Sequence, residues 1–197
     1  MRKYIQILIG SVLGDGHLYR LAIRNQTSQL YLSQHSSKLP YLEWLRDMLN
    51  EGISVRSIKP KTGYSQYYIF TKPSLELGEL KKKFYPTGTK KIIPADIENL
   101  LVHPLSLAVW YMDDGTLDNR ERYHRNAMIA TYCFSFEDCE RLVKAIKINF
   151  GFEANVTKCR MRGKIYPRLY IPSKSMPRFI SLIKPHIHSC FRYKIGE

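Results

Sequence analysis

Asp15 and Asp114 stand 99 positions apart, and each ends an apolar run and precedes a glycine: "LIGSVLGDG" over 8–16 and "LAVWYMDDG" over 107–115. An isolated Asp-Gly pair is usually a hairpin turn. These runs are continuous rather than alternating, which fits buried helices better than half-buried strands. A carboxylate at a helix C-terminus lies at the negative end of the dipole and calls for a compensating cation. If the two helices pack with those ends together, the carboxylates face one another. A divalent cation with hard oxygen ligands, Mg²⁺ first, resolves the repulsion. Such an ion acidifies water and stabilises the oxyanions of a phosphodiester displacement.

The residues around the two carboxylates bear on that packing. Gly16 and Gly115 are expected as left-handed helix C-caps. Gly10, Ser11 and Gly14 permit close backbone approach on the first helix, whereas the second carries Val109 and Asp113 where the first has Gly10 and Gly14.

The surrounding elements repeat at the same offset, which also brings "NEGI" at 50–53 onto "NFGF" at 149–152 and Pro86 onto Pro185. In the first half, a helix over 4–14 is followed by strands over about 17–24 and 28–35. Leu39, Leu42, Leu45 and Leu49 then mark a helix stopped by Asn50-Glu51-Gly52. A hairpin turning near Thr62-Gly63 leads to a helix with Pro73 at its start. In the second half, a helix over 105–114 precedes strands over about 117–122 and 126–132. Next comes a helix capped by Ser135 and stopped by Gly151, then a hairpin across Arg162-Gly163 and a helix over about 175–184. Each half thus reads αββαββα, which predicts an α+β fold of two pseudo-twofold lobes, 1–88 and 104–197, with a connector over 89–103.

Composition narrows the partner. The chain has 197 residues, 44% of them hydrophobic, enough for a real core. It carries 31 Lys+Arg against 17 Asp+Glu, a net charge of +14. Such a balance favours a polyanion as a class, through phosphate neutralisation and counterion release. Many of the 14 tyrosines interleave with basic residues, as in Tyr19-Arg20, although tyrosine is equally a strand residue. Cys133, Cys139, Cys159 and Cys190 form no CxxC pair and read as reduced thiols of an intracellular protein. The N-terminal "MRKYIQILIGSVLG" imitates a signal peptide, but no small-residue cleavage site follows, so export is not expected. No apolar run is long enough to span a bilayer. His103, His124, His186 and His188 show no ligand or general-base arrangement.

The two nine-residue motifs resemble the paired signatures of LAGLIDADG homing endonucleases. "DGHLYR", "LSQHSSKLPYLEWL", "KKIIP" and "PLSLAVWYMDDGTLD" resemble one branch of that family, so the likeness covers nearly the whole chain. The resemblance implies that the motif helices form the interface between two αββαββα lobes. Their antiparallel sheets would make a basic saddle along the DNA major groove. It further implies that Asp15 and Asp114 bind two or three divalent ions, Mg²⁺ with Mn²⁺ as a substitute. Gly14 and Asp113 are added as metal ligands through their backbone carbonyls, with a merely solvated Asp113 as the alternative. Lys91 or its neighbour Lys90, together with Lys194, match lysines near the scissile phosphates, and Gln34 matches a glutamine that organises active-site water. The second-half counterpart of Gln34 falls near Thr131 or Tyr132. A two-motif chain of this kind acts as a monomer on a long asymmetric double-stranded DNA target and leaves short 3′ overhangs. Its setting is a DNA-containing compartment of the cell.

Base reading is expected from outward strand residues, with Leu30, Leu32, Ile69 and Ile171 inward. In the first lobe the outward set is Arg20, Arg24, Gln29, Tyr31, Ser33 and His35, with Arg56, Gln66 and Tyr68 on the second hairpin. In the second lobe it is Arg120, Arg122, Arg125, Lys158, Arg160, Arg162 and Arg168. Arg and Gln can read purine edges, while Lys mostly tracks phosphate. Two other functions use the same scaffold: an RNA maturase acting on its host intron, and a DNA-binding regulator without turnover.

Overall fold

Helices that are apolar on every side have to be buried, and both motif helices are. The computed structural model describes residues 3–20, 26–49, 56–58, 65–120 and 124–197, without the side chains of Arg20 and 56–58. Helix α1 (Lys3–Leu13) is buried continuously from Gln6 to Leu13. Helix α5 (Pro104–Asp114) is buried continuously from Leu105 to Met112. They lie against each other at the centre of the molecule.

The first half continues with β1 (His17–Arg20), β2 (Ser28–His35), α2 (Leu39–Leu49), β3 (Arg56–Ile58), β4 (Gln66–Phe70) and α3 (Leu75–Phe84). A short α4 (Ile97–Leu100) lies in the connector. The second half follows α5 with β5 (Gly115–Asp118), β6 (Asn126–Ala130), α6 (Phe136–Phe150), β7 (Asn155–Met161), β8 (Lys164–Ile171) and α7 (Met176–Ile183). The two antiparallel sheets have the same strand order, β1-β2-β4-β3 and β5-β6-β8-β7. Among the described residues the expected αββαββα order therefore occurs twice.

Side-chain alternation gives each sheet one apolar face. Leu18, Leu30, Leu32 and Ile69 line the buried face of the first sheet, and Ala127, Ile129, Leu169 and Ile171 that of the second. Local signals explain the element ends. Ser135 and Asp138 form a reciprocal capping box on α6, and Gly151 ends it in the left-handed region. Arg162 and Gly163 both have positive φ, as a two-residue type I′ hairpin turn requires. On α3 the start differs from expectation: Ser74 is the N-cap, accepting from the Leu77 amide, and Pro73 stands one residue outside. The expected turn at Thr62-Gly63 lies outside the described residues.

Gly16 and Gly115 are not left-handed caps. Gly115 is extended, with φ −80° and ψ 151°, and Gly16 is absent from the positive-φ residues. Their requirement is spatial, because each strand leaves directly over the last turn of its own helix. A Cβ on Gly16 would lie 2.5 Å from the Ser11 carbonyl oxygen, and one on Gly115 would lie 2.3 Å from that of Tyr111.

The missing small residues of α5 are accounted for by the same packing. A Cβ on Gly10 would lie 2.5 Å from the Ser106 carbonyl oxygen and 2.7 Å from Val109 Cβ, and one on Gly14 would lie 2.7 Å from Asp113 Cβ. The glycines of α1 are thus the hollows that receive Val109 and Asp113. Further along the pair, the Ser106 hydroxyl donates to the Gln6 backbone carbonyl (2.9 Å) and lies 2.6 Å from Gln6 Oε1. That buried polar clamp fixes how the two helices slide past each other. Among the described residues no helix is long and apolar enough to cross a membrane.

Candidate active site

The close approach of α1 and α5 brings their C-termini to one place. At the end of α1, the Gln34 side-chain amide donates to Asp15 Oδ2 at 3.1 Å. Gln34 lies near the end of β2, so the first sheet holds the carboxylate that follows the first helix.

Lys91 reaches the same helix end from the connector. Its ammonium donates to the carbonyls of Val12 (2.7 Å), Gly14 (3.1 Å) and Gly16 (3.0 Å). An ammonium has three N–H donors, so all of them are engaged by backbone. Lys91 acts there as a helix C-cap and a fixed positive charge beside the carboxylates. Burial holds its pKa below the usual lysine value, against the pull of the nearby acids. Lys90 is exposed, which separates two neighbours that the sequence left open.

Lys194 repeats the arrangement at α5, donating to the carbonyls of Met112 (2.6 Å) and Asp113 (3.4 Å). The Tyr111 hydroxyl donates to the Lys194 carbonyl at 2.8 Å and ties this segment to the helix. Asp114 lines an open cleft of about 430 Å³ with Gly115, Thr116, Ala130, Tyr193 and Lys194. Burial, followed by the charge of Asp15, raises its carboxyl to about 7, while Lys91 and Lys194 oppose the shift. By strand register the counterpart of Gln34 is Thr131, whose hydroxyl instead donates to the Pro167 carbonyl at 3.0 Å.

The motif comparison gives Asp113 only a carbonyl role, yet its side chain bridges the two halves. One carboxyl oxygen accepts from the Tyr41 hydroxyl (3.0 Å) and the other from the Asp15 amide (3.4 Å). Burial, Asp15 and Asp114 together push its pKa well above the ordinary carboxylate value. Tyr41 carries no motif signal, because it sits among the leucines of α2 and meets Asp113 only through the fold.

The donor set fits a hard divalent cation. The carboxylates of Asp15 and Asp114 lie within electrostatic reach of each other and offer hard oxygen donors, while the carbonyls of Gly14 and Asp113 accept from the Lys91 and Lys194 ammoniums. The described residues contain no group of three or more His, Cys, Asp or Glu arranged to enclose an ion.

The expected base-reading residues divide. Gln29, Tyr31, Ser33, His35, Gln66 and Tyr68 lie on the strand positions opposite the buried face of the first sheet, as expected. Arg168 does so in the second. Lys158 and Arg160 pair with Pro167 and Ile165, so register puts them on the Leu169 side rather than with Arg168. The Arg125 guanidinium donates to the Ile195 carbonyl and holds the C-terminal segment. Arg120 pairs with both carboxylate oxygens of Asp118. Arg162 occupies the hairpin turn. Arg24 and Arg122, and the side chains of Arg20 and Arg56, lie outside the described residues.

Two sheets of identical order are joined through paired helices, each followed or ended by a carboxylate. The chain belongs to the LAGLIDADG DNA endonuclease family, whose profile matches residues 5–179. It is 29% identical to the DNA endonuclease I-ChuI of Chlamydomonas applanata over 97% of this chain and 93% of that protein. It is 26% identical to the cytochrome b mRNA maturase bI2 of Saccharomyces cerevisiae over 98% of this chain, but spans only 47% of the maturase. Among solved structures, the homing endonuclease I-WcaI bound to its DNA recognition sequence superposes with a TM-score of 0.81 at 25% identity, covering 99% of this chain and 86% of that one. I-DmoI in complex with DNA and Mn, at 17% identity and a TM-score of 0.57, covers 92% and 96% and shares the fold.

Proposed function

We propose that the protein is a site-specific homing endonuclease that makes metal-dependent double-strand breaks in a long asymmetric DNA target and leaves short 3′ overhangs. It works as a monomer, with 1–88 and 104–197 each covering one half-site. The observation that carries this reading is the convergence of Asp15 and Asp114, each at the end of its own interface helix and within the electrostatic reach of the other.

A divalent cation, Mg²⁺ or Mn²⁺, supplies acidified water and charge neutralisation at the phosphodiester when bound. The chain's own groups hold and orient. Asp15 and Asp114 offer carboxylates, and Gly14 and Asp113 offer carbonyls. Gln34 fixes the Asp15 rotamer and presents a polar amide toward water at that site. Lys91 and Lys194 lock the helix ends and place positive charge beside the phosphate path without giving up their backbone partners.

The test is cleavage of plasmid DNA carrying the sequence that flanks the open reading frame, with Mg²⁺ or with EDTA. Double-strand cuts are expected only with metal, and not with Asp15→Asn or Asp114→Asn. Specific binding without cleavage in Mg²⁺ or Mn²⁺ sinks the proposal. Binding should also weaken steeply with salt.

The likeness to the bI2 maturase supports a second reading, in which the same scaffold assists splicing of a host intron RNA. Splicing in vitro that depends on the protein but survives Asp114→Asn is its signature, and the two activities can coexist.

A further inference from the structure

The outer faces of the two sheets differ in chemistry at matching positions. On the first sheet, Tyr19, Tyr31, Tyr68 and Phe70 form one connected patch, with centroid distances of 5.9 Å for Tyr19–Tyr31, 4.9 Å for Tyr31–Phe70 and 5.7 Å for Tyr68–Phe70. Tyr19 is 44% exposed and Phe70 36%. Strand register puts Asp118, Met128, Arg168 and Tyr170 at the corresponding places on the second sheet, and Asp118 there is paired with Arg120. In a chain of net charge +14, the first face offers four rings where the second offers one ring, one methionine and two charged side chains.

We infer that the first sheet recognises thymine C5-methyl groups in the major groove of its half-site through the Tyr19–Tyr31–Tyr68–Phe70 patch. This rests on the DNA-endonuclease reading and names what that face reads. Three observations carry it. The patch borders the candidate site: the ring of His17, two residues after Asp15, lies 4.4 Å from that of Tyr19. Guanine is read by Arg or Lys forks, whereas thymine offers a methyl group to an apolar surface. By register Arg56 shares this face beside Tyr68, while the ring patch itself offers apolar surface, and the Phe70 side chain has no hydrogen-bonding atom. The rings also meet edge-on or tilted, at interplanar angles of 86° for Tyr19–Tyr31 and 47° for Tyr31–Phe70. Rings packed against one another in this way are less free to stack on unpaired bases.

The experiment uses the whole protein and a randomised DNA duplex pool, bound in EDTA so that no strand is cut. Recovered duplexes are resynthesised with deoxyuridine in place of thymidine in one half-site at a time, which removes only the methyl group. One half-site is expected to be thymine-rich and to lose about fourfold in affinity per contacted methyl, while the other is insensitive. Phe70→Ala and Tyr19→Ala should each abolish that sensitivity, so that the variant binds the thymidine and deoxyuridine duplexes equally. Sites that bind tightly but ignore deoxyuridine in both halves overturn the inference and leave the endonuclease reading intact. Recovery of no duplex at all, or preference for single-stranded RNA, overturns the endonuclease reading itself.

Discussion

The Gln34 amide grips Asp15 at 3.1 Å, whereas the matching residue, Thr131, turns its hydroxyl to Pro167 and leaves Asp114 without that support. The two halves of the candidate site are therefore chemically unequal. On supercoiled plasmid, Gln34→Ala should slow cleavage of one strand about 10- to 100-fold, the loss typical of removing a group that orients a metal ligand, so that nicked circles accumulate. Equal slowing of both strands would count against an independent role for each carboxylate.

Lys91 should behave as a structural residue as much as a functional one. Lys91→Met strips three backbone carbonyls of their donor at a part-buried helix end, a change expected to cost about 1–3 kcal/mol. Lys91→Arg should rescue little, because a planar fork cannot reproduce the three diverging bonds. Urea unfolding checks both, and a Lys91→Met protein as stable as the parent would refute the capping role.

The glycine hollows give a third test. Gly10→Ala places a methyl group against the Ser106 carbonyl, which is backbone and cannot swing aside. Overpacking of this kind typically costs about 1–3 kcal/mol, and here it also pushes the two carboxylates apart. Cleavage should fall by more than the lost stability accounts for, as judged by activity well below Tm. A Gly10→Ala protein with parental activity would show that α1 and α5 tolerate separation.

Stability without metal should fall as pH rises toward 8. The folded-state value of about 7 for Asp114 compares with about 4 in an unfolded chain. Between these values the folded protein carries a proton that the unfolded chain lacks. That stabilisation is full below about pH 4 and lost as pH rises through about 7, with a limiting slope of about 1.4 kcal/mol per pH unit for each such proton. Asp113, raised by burial and its acidic neighbours, acts in the same direction. His186 and His188, both lowered by burial, act oppositely, removing stability as pH drops below about 6.5. Tm in EDTA should accordingly decline between about pH 6.5 and 8. Asp114→Asn should flatten the decline, and Mg²⁺ should raise Tm more at the higher pH. A Tm that climbs across this interval contradicts the assignment.

What could be read from the sequence was what depends on local pattern. Two continuous apolar runs announced buried helices, and the Ser135, Gly151 and Arg162-Gly163 signals placed the elements around them. Asp15 and Asp114 followed from spacing and from repetition of the unit. What escaped was set by three-dimensional proximity. Glycine after aspartate is equally consistent with a left-handed cap and with a strand folded over its own helix, and only the second occurs. Lys158 and Arg160 fall on the other face because their orientation depends on pairing with β8, which strand composition does not encode. The Tyr41–Asp113 bond joins α2 to the far helix across 72 positions, and neither residue type announces such a partner.

Gly10 against Val109 and Gly14 against Asp113 are each a hollow meeting a projection at equivalent places in the two halves. Two copies of the first half would bring hollow to hollow and leave a gap along the seam. Two copies of the second would bring bulk to bulk and collide. The pairing is gendered, and neither half can mate with its own kind. A lineage that reached this state by duplication has passed through a one-way gate, since splitting the gene would not restore a symmetric ancestor.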